Sequence, residues 1–539
     1  MARAEVVASY AALAAVLLFT VLVRINLLEV PLERDEGTYA YFAQLLLDGA
    51  TPYLSFYEIK PPGLYYAYAL LLALFGDTLR GLHTAFLFVN LGSTLLLFLI
   101  GRKLLSPLGG AIVAAAFAIL SLGPEVLGFT AQSEHLVVLF VAASLYAMLL
   151  ARESRRTSLF VASGTLVALA CMVKQAALPL LVFHVGLIAS DHLLSGRRDR
   201  TGSIRAVAAL LAPAGLLYVG TALVMGFAGA FREYWFWTHA FPLGYATEIG
   251  LATGWERFLG MSRAIGHDYL ALWSLAGIGL LAAPFAGLGR NRTVLVWLLF
   301  LCSLASICQG LRFYGHYALQ LLPSAAILVG VSFELVRRLL AVRLRFGPGY
   351  AALGATAYFA LAVSITVVKE RDYYFRPDFE EIIHGVYGNN PFVEAKVFGE
   401  FIRANTEPGD EVAVIGSEPE IYFYSGRRCP SRHAYFDYIV AESPRQADWQ
   451  REFIRDVEAA RPKYLVYFHN SFSLGPHVEE VGAVFDWFVG FSKRHYRVVA
   501  RADYEGAGHR IQYLWGPEAG MRTNLAKSST FMLERIDPP

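Results

Sequence analysis

The sequence predicts a polytopic α-helical membrane protein with an extracytoplasmic α/β domain at its C-terminus. Three observations predict it. The 539-residue chain is 56% hydrophobic and only 17% charged, where soluble domains carry roughly a quarter charged residues. Over residues 1–370 the apolar residues gather into long blocks cut by short basic loops. A block of about 20 apolar residues is what a helix needs to cross a bilayer. Beyond residue 370, charge, proline and alternating patterns return. The chain therefore divides into a membrane domain, 1–370, and a soluble domain, 371–539.

The blocks read as about eleven spans: 6–28, 79–100, 108–127, 133–150, 158–173, 176–194, 206–228, 269–288, 293–308, 316–335 and 349–368. The first is too long for a signal-peptide core and no clear cleavage site follows it, so it reads as a retained span. One set of loops is densely basic: Arg102 and Lys103; Arg152, Arg155 and Arg156; Arg197, Arg198, Arg200 and Arg205; Arg290 and Arg292; Arg337, Arg338, Arg343 and Arg345. The alternate set is sparser for its length. Short basic loops stay in the cytoplasm. The N-terminus is expected inside and the C-terminal domain outside, periplasmic or extracellular, on an inner or plasma membrane.

Net charge is +2 and no basic run is interleaved with aromatics, which gives no reason to expect nucleic-acid binding. The four cysteines form no CxxC pair, and no His-x-His or His-Glu-x-x-His occurs. No metal or cofactor is expected.

Two outer loops are long. The one spanning 229–268 holds Trp235, Trp237 and Trp255, which read as an interfacial aromatic belt. The other spans 29–78 and carries the charges. Within it, Thr38–Asp48 and Pro61–Phe75 read as two short helices along the membrane surface. Arg34, Asp35 and Glu36 stand together at its start, and Lys60 follows. Ionisable residues at membrane depth mark function by default; a solvated interfacial cluster is the plain alternative.

The string Arg34-Asp35-Glu36-Gly37-Thr38-Tyr39-Ala40, then Gly49, Pro52-Tyr53 and Lys60-Pro61-Pro62-Gly63, resembles the integral-membrane glycosyltransferases of the C-type superfamily. The resemblance is to the branch with protein O-mannosyltransferases, the lipid A aminoarabinose transferase and lipopolysaccharide-core galacturonosyltransferases. It implies an enzyme that takes a hexosyl or pentosyl group from a polyprenyl-phosphate donor. The acceptor would be a hydroxyl of an extracytoplasmic glycan, glycolipid or protein. Asp35 aligns with the family's catalytic aspartate, the general base for the acceptor hydroxyl. Glu36 shares that task, orients Asp35, or serves as a first-turn carboxylate for the following helix. Lys60 resembles the family's phosphate-contacting lysine, which would stabilise the leaving group; snorkelling is its bland alternative. Tyr57 and Glu58 are placed in the same cavity.

Later loops add candidates. Glu134 opens the fourth span, as a substrate contact or as a helix-dipole partner. Lys174 sits between two short spans, as a phosphate contact or as the partner of a structural carboxylate. The string Arg312-Phe313-Tyr314-Gly315-His316-Tyr317 resembles a family pattern. It offers Arg312, Tyr314 and His316 to the donor phosphate and Tyr317 to substrate. In the soluble domain, 393–405, 446–460 and 478–494 read as helices. Strands are read at 411–416, 464–468, 496–502 and 511–515. Arg427, Arg428 and Arg432 with Tyr435 read as a solvated basic surface or an anionic-glycan contact. The rival to the enzyme is a lipid-linked-sugar translocator or other multi-span carrier, although no inverted repeat is found.

Overall fold

The computed structural model describes residues 2–194, 200–441, 443–474, 482–506, 510–521, 526 and 528–536. Arg197, Arg198 and residues 478–481 lie outside them.

Helix α1 (Ala2–Asn26) leads into two shorter helices, α2 (Arg34–Leu47) and α3 (Gly63–Phe75). Then follow α4 (Leu79–Leu104), α5 (Pro107–Leu120), α6 (Ser133–Ser154), α7 (Thr157–Val173), α8 (Leu178–Leu194) and α9 (Arg200–Phe227). Short helical turns fill 231–247 and lead into α10 (Leu251–His267) and α11 (Leu270–Ala282), then α12 (Arg290–Ile307), α13 (Leu322–Val342) and α14 (Pro348–Lys369). Every block read as a span overlaps a helix. Seven of the described helices are long and apolar enough to cross a membrane, eight if the pair around residue 268, bent by 113°, counts as one. The chain is a multi-pass membrane protein. Helices α5 and α7, with 14 and 17 residues, lie below and at the short end of what a crossing needs. Helix α13 is the axis of the bundle: Leu322–Glu334 is buried without a break, packed between α5 and α11.

Helix α2 starts four residues earlier than expected. Glu33 is its N-cap and accepts from the Glu36 amide at 2.8 Å, while the Glu36 carboxylate accepts from the Glu33 amide at 3.0 Å. This reciprocal capping box places Asp35 and Glu36 inside the first helical turn. Helix α3 starts after Pro62, which needs no amide partner at a helix start.

The C-terminal domain is a five-stranded mixed sheet flanked by helices. The strands are β1 (Val412–Ile415), β2 (Tyr464–His469), β3 (Tyr496–Tyr504), β4 (Gln512–Trp515) and β5 (Ser528–Arg535), in the order β1-β2-β5-β3-β4. Only β1 and β2 pair in parallel; β5 inserts between β2 and β3, antiparallel to both. The domain rests on α2 through a short helix, α16 (Glu420–Ser425), which packs in turn against α15 (Phe392–Ala404). A Cβ on Gly37 would lie 2.5 Å from the Glu420 Cβ, so glycine is what lets α16 reach α2.

Candidate active site

Three consecutive residues of α2 point three ways, because a helix turns by about 100° per residue. Arg34 faces the soluble domain. Its guanidinium donates to the Ser417 and Phe472 carbonyls and pairs with Glu418 at 3.1 Å. Glu36 faces the bundle and is fully buried. One oxygen closes the capping box. The other accepts from the Ala131 amide at 2.6 Å and meets His83 Nε2 at 3.3 Å. That carboxylate fastens α2 to α4 and to the turn before α6. Asp35 lies between them, half-buried, and its side chain has no hydrogen bond or ion pair among the described residues.

Lys60 is held from below. Its Nζ lies 3.2 Å from Glu58 Oε1. Glu58 in turn accepts from the Lys60 amide at 2.8 Å and the Tyr438 hydroxyl at 2.9 Å. Burial pulls the ammonium's pKa down, but the charges of Glu58 and then Asp35 outweigh it and hold Lys60 well above the usual lysine value. Lys60 is thus a permanent cation. Tyr438 comes from the soluble domain, so that domain helps to fix the lysine.

Tyr57 does not face the same space as Lys60. Its ring stacks on Trp237 with centroids 4.1 Å apart, and its hydroxyl meets His433 Nδ1 at 2.5 Å. Trp237 is 1% exposed and also stacks on Trp449. This corrects the belt reading for Trp237, which is a wedge between the 29–78 loop and the C-terminal domain. Trp235 and Trp255 do remain exposed.

Glu134, at the start of α6, bonds the ammonium of Lys174, which lies in the break between α7 and α8. Ser133 donates to the other carboxylate oxygen at 2.9 Å. His316 Nε2 is 3.8 Å from Glu134, and the Lys174 ammonium sits 4.4 Å above the Tyr317 ring. Tyr314 stacks on His316. The Arg312 charge acts on Tyr314 and Tyr317, but its guanidinium is engaged elsewhere. It pairs with Glu248, and its Cζ lies over the Tyr245 ring, 3.4 Å from the centroid.

The charge of Asp35 reaches Lys60, Lys174, His316, Tyr317 and, from the soluble domain, Tyr435. Four stretches of chain far apart in sequence therefore converge on one carboxylate. Tyr39 joins them and was missed. It stands one helical turn after Asp35, and Lys60 Nζ lies 5.9 Å above its ring. Its hydroxyl is buried and has no hydrogen-bond partner among the described residues. Burial, then the charges of Asp35 and Glu58, push its pKa well up, so the phenol stays a donor. The i, i+4 spacing from Asp35 was the available signal.

The basic surface expected in the soluble domain dissolves into pairs. Arg427 is buried and donates to Thr406, Arg428 pairs with Asp48, and Arg432 with Glu452. Among the described residues no three His, Cys, Asp or Glu side chains group as metal ligands.

The family described as dolichyl-phosphate-mannose-protein mannosyltransferase matches residues 59–218, a stretch that includes Lys60, Glu134 and Lys174. No curated protein matches the sequence. Among solved structures, apo ArnT from Cupriavidus metallidurans superposes with a TM-score of 0.59 at 14% identity, over 97% of this chain and 98% of that one. The same protein bound to undecaprenyl phosphate gives 0.55 at 14% identity, over 99% and 98%. The oligosaccharyltransferase AglB from Archaeoglobus fulgidus, with an inhibitory peptide and a dolichol-phosphate, gives 0.55 at 13% identity, over 94% and 74%. The chain has the fold of these C-type membrane glycosyltransferases and resembles the ArnT and protein-mannosyltransferase branch.

Proposed function

We propose that this chain is a membrane glycosyltransferase that moves a sugar from a polyprenyl-phosphate donor to a hydroxyl of an extracytoplasmic glycan, glycolipid or protein. The observation that carries the reading is Asp35: a half-buried carboxylate with no hydrogen bond or ion pair among the described residues, whose charge acts on Lys60 and Lys174. A carboxylate left unpaired beside fixed cations is arranged for a reaction rather than for stability. In the step, the acceptor oxygen bonds to the anomeric carbon and its proton passes to Asp35. The bond from that carbon to the phosphate oxygen breaks, and the lipid phosphate leaves with the electron pair. Lys60, held by Glu58, meets the charge that grows on the phosphate. Tyr39 donates to the phosphate or to a sugar oxygen. Glu36 positions Asp35 through the helix start and takes no proton. Glu134, Lys174, His316 and Tyr317 form the opposite wall and hold the sugar and phosphate; Tyr314 supports His316.

In this reading the chain crosses the membrane eleven times, with the N-terminus in the cytoplasm. The domain 371–539 closes the site from the outer side, and its Tyr435 and Tyr438 overlie Asp35 and Glu58. The two ArnT and AglB complexes with lipid phosphates support the donor class. The test is transfer by the purified chain from synthetic polyprenyl-phosphate sugars to candidate acceptors, read as a mass shift. A shift with the wild type and none with Asp35→Asn supports the reading. Donor binding with no transfer to any acceptor class, and transport of the donor across vesicles, would assign a translocator instead.

A further inference from the structure

The bundle carries a second cavity at its other end. Helix α6 runs from Glu134 at the site to Arg152, eighteen residues further, which is about 27 Å at 1.5 Å per residue. There a cavity of about 400 Å³ opens between the end of α6, the start of α7, the end of α8 and the start of α9. Its rim is cationic. Arg152, Arg155 and Arg205 line it, with Asp191 as the carboxylate among the described lining residues. Asp191 is already engaged, gripped by Arg152 through two hydrogen bonds. His192 and Ser203, 3.3 Å apart, tie α8 to α9 beside it. Arg155 and Arg205 are exposed and have no hydrogen-bond or ion-pair partner among the described residues. Arg155 also sits at φ 59°, the left-handed helix-end conformation that favours glycine. The wall facing the bundle is apolar: Phe160, Ile188 and Ala206. Outside it, α9 shows Ile204 and Leu211, residues that suit lipid.

We propose that this cavity binds the phosphate headgroup of an anionic glycerophospholipid from the leaflet opposite the Asp35 site. A guanidinium fork matches phosphate geometry, and two unpaired forks flank one opening. A soluble phosphate would use the cations alone. A phospholipid also uses the apolar wall beneath them and the lipid-facing flank of α9, where its chains continue. Basic pockets between transmembrane helices on the cytoplasmic side are suited to such headgroups. The inference rests on the membrane orientation and not on the sugar-transfer reading.

The experiment uses the full chain in detergent with added phosphatidylglycerol, phosphatidylcholine or inorganic phosphate. Native mass spectrometry reads the retained lipid and thermal unfolding reads the protection. Phosphatidylglycerol is expected to be retained and to raise the melting temperature above that with phosphatidylcholine. Arg155→Gln with Arg205→Gln is expected to lose about tenfold or more in retention. Arg345→Gln, outside the cavity, keeps it, and the charge-preserving pair Arg155→Lys with Arg205→Lys falls between the wild type and the glutamine pair, because lysine keeps the charge but not the fork. Equal retention by the glutamine pair and the wild type would overturn the site. So would equal binding of phosphatidylcholine. Protection by inorganic phosphate matching that of phosphatidylglycerol would assign a soluble anion and overturn the lipid. Polyprenyl-phosphate binding at the Asp35 end stays unchanged in all these variants, which keeps this test separate from that of the reaction.

Discussion

The loop around residue 35 and the loop around residue 312 carry the same kinds of side chain, yet their charges stand in opposite conditions. In the first, Asp35 has no partner, and Lys60 keeps a face toward it although Glu58 holds the other. In the second, Arg312 is committed to Glu248 and to the Tyr245 ring. A charge balanced locally has little left to give a substrate, whereas an unpaired one beside cations is available to it. The sequence shows that both loops are charged, but only the fold shows which charges are already engaged.

The largest effect should come from Asp35→Asn. The amide keeps the shape but cannot take the proton, so turnover is expected to fall about a hundredfold or more. The side chain makes no hydrogen bond, so the melting temperature should hold. Near-normal turnover in a folded, donor-binding variant would erase the contrast between the loops.

Lys60→Ala comes next and is best measured beside Arg312→Ala. Loss of a cation at the leaving phosphate acts mainly in the transition state, so Lys60→Ala should lower single-turnover rates by about 10- to 100-fold and weaken donor binding less. Arg312→Ala should change the rate by no more than about threefold, in keeping with a guanidinium already paired with the exposed Glu248. Equal losses in the two variants would show that Arg312 leaves Glu248 when donor is bound.

Much of this was legible beforehand, for identifiable reasons. Every expected span overlaps a helix because hydropathy over 20 residues is a strong signal. The α/β tail was read at four strands, and helix 446–460 matches α17 (Gln446–Ala460). The missed strand, β5, begins Ser-Ser-Thr, a polar run that reads as loop. The start of α2 was missed because glutamate is a poor N-cap by preference. Here the cap works only through its reciprocal bond with Glu36. Glu36 itself could not be sorted from Asp35 by sequence. Their roles separate when the helix phase sends one to His83 and Ala131 and leaves the other free. Trp237 was misread because its partners, Tyr57 and Trp449, lie 180 residues before it and 212 after. Interdomain stacking leaves no local pattern.

Tyr39→Phe sharpens the comparison from inside the first loop. It removes one hydroxyl that has no protein partner, so folding loses no hydrogen bond and the melting temperature should not fall. If the phenol donates to the donor, turnover should fall about tenfold, the scale of one hydrogen bond made in the transition state. Unchanged turnover would mean that the Lys60 side of the site works without it.

The smallest effect on turnover, none, is expected from Glu394→Gln, which tests the same rule at a buried carboxyl with no ion pair among the described residues. Glu394 lies on α15 in the soluble domain, 1% exposed, with one carboxylate oxygen unpartnered. Burial, with the charges of Glu380 and Glu418 adding to it, pushes its pKa up to about 8. A carboxyl whose pKa is higher folded than unfolded stabilises the fold while it is protonated. That contribution is complete below about pH 4.5 and is lost as pH rises through 8. Wild type should therefore lose melting temperature between pH 5 and pH 9, and Glu394→Gln should lose less. The two should be alike near pH 5 and diverge by a few degrees at pH 9. Parallel curves over that range would mean that Glu394 is charged in the fold. Burial without a cation would then not be what sets its state, and the reading of Asp35 as a charge kept free by its neighbours would lose its counterpart.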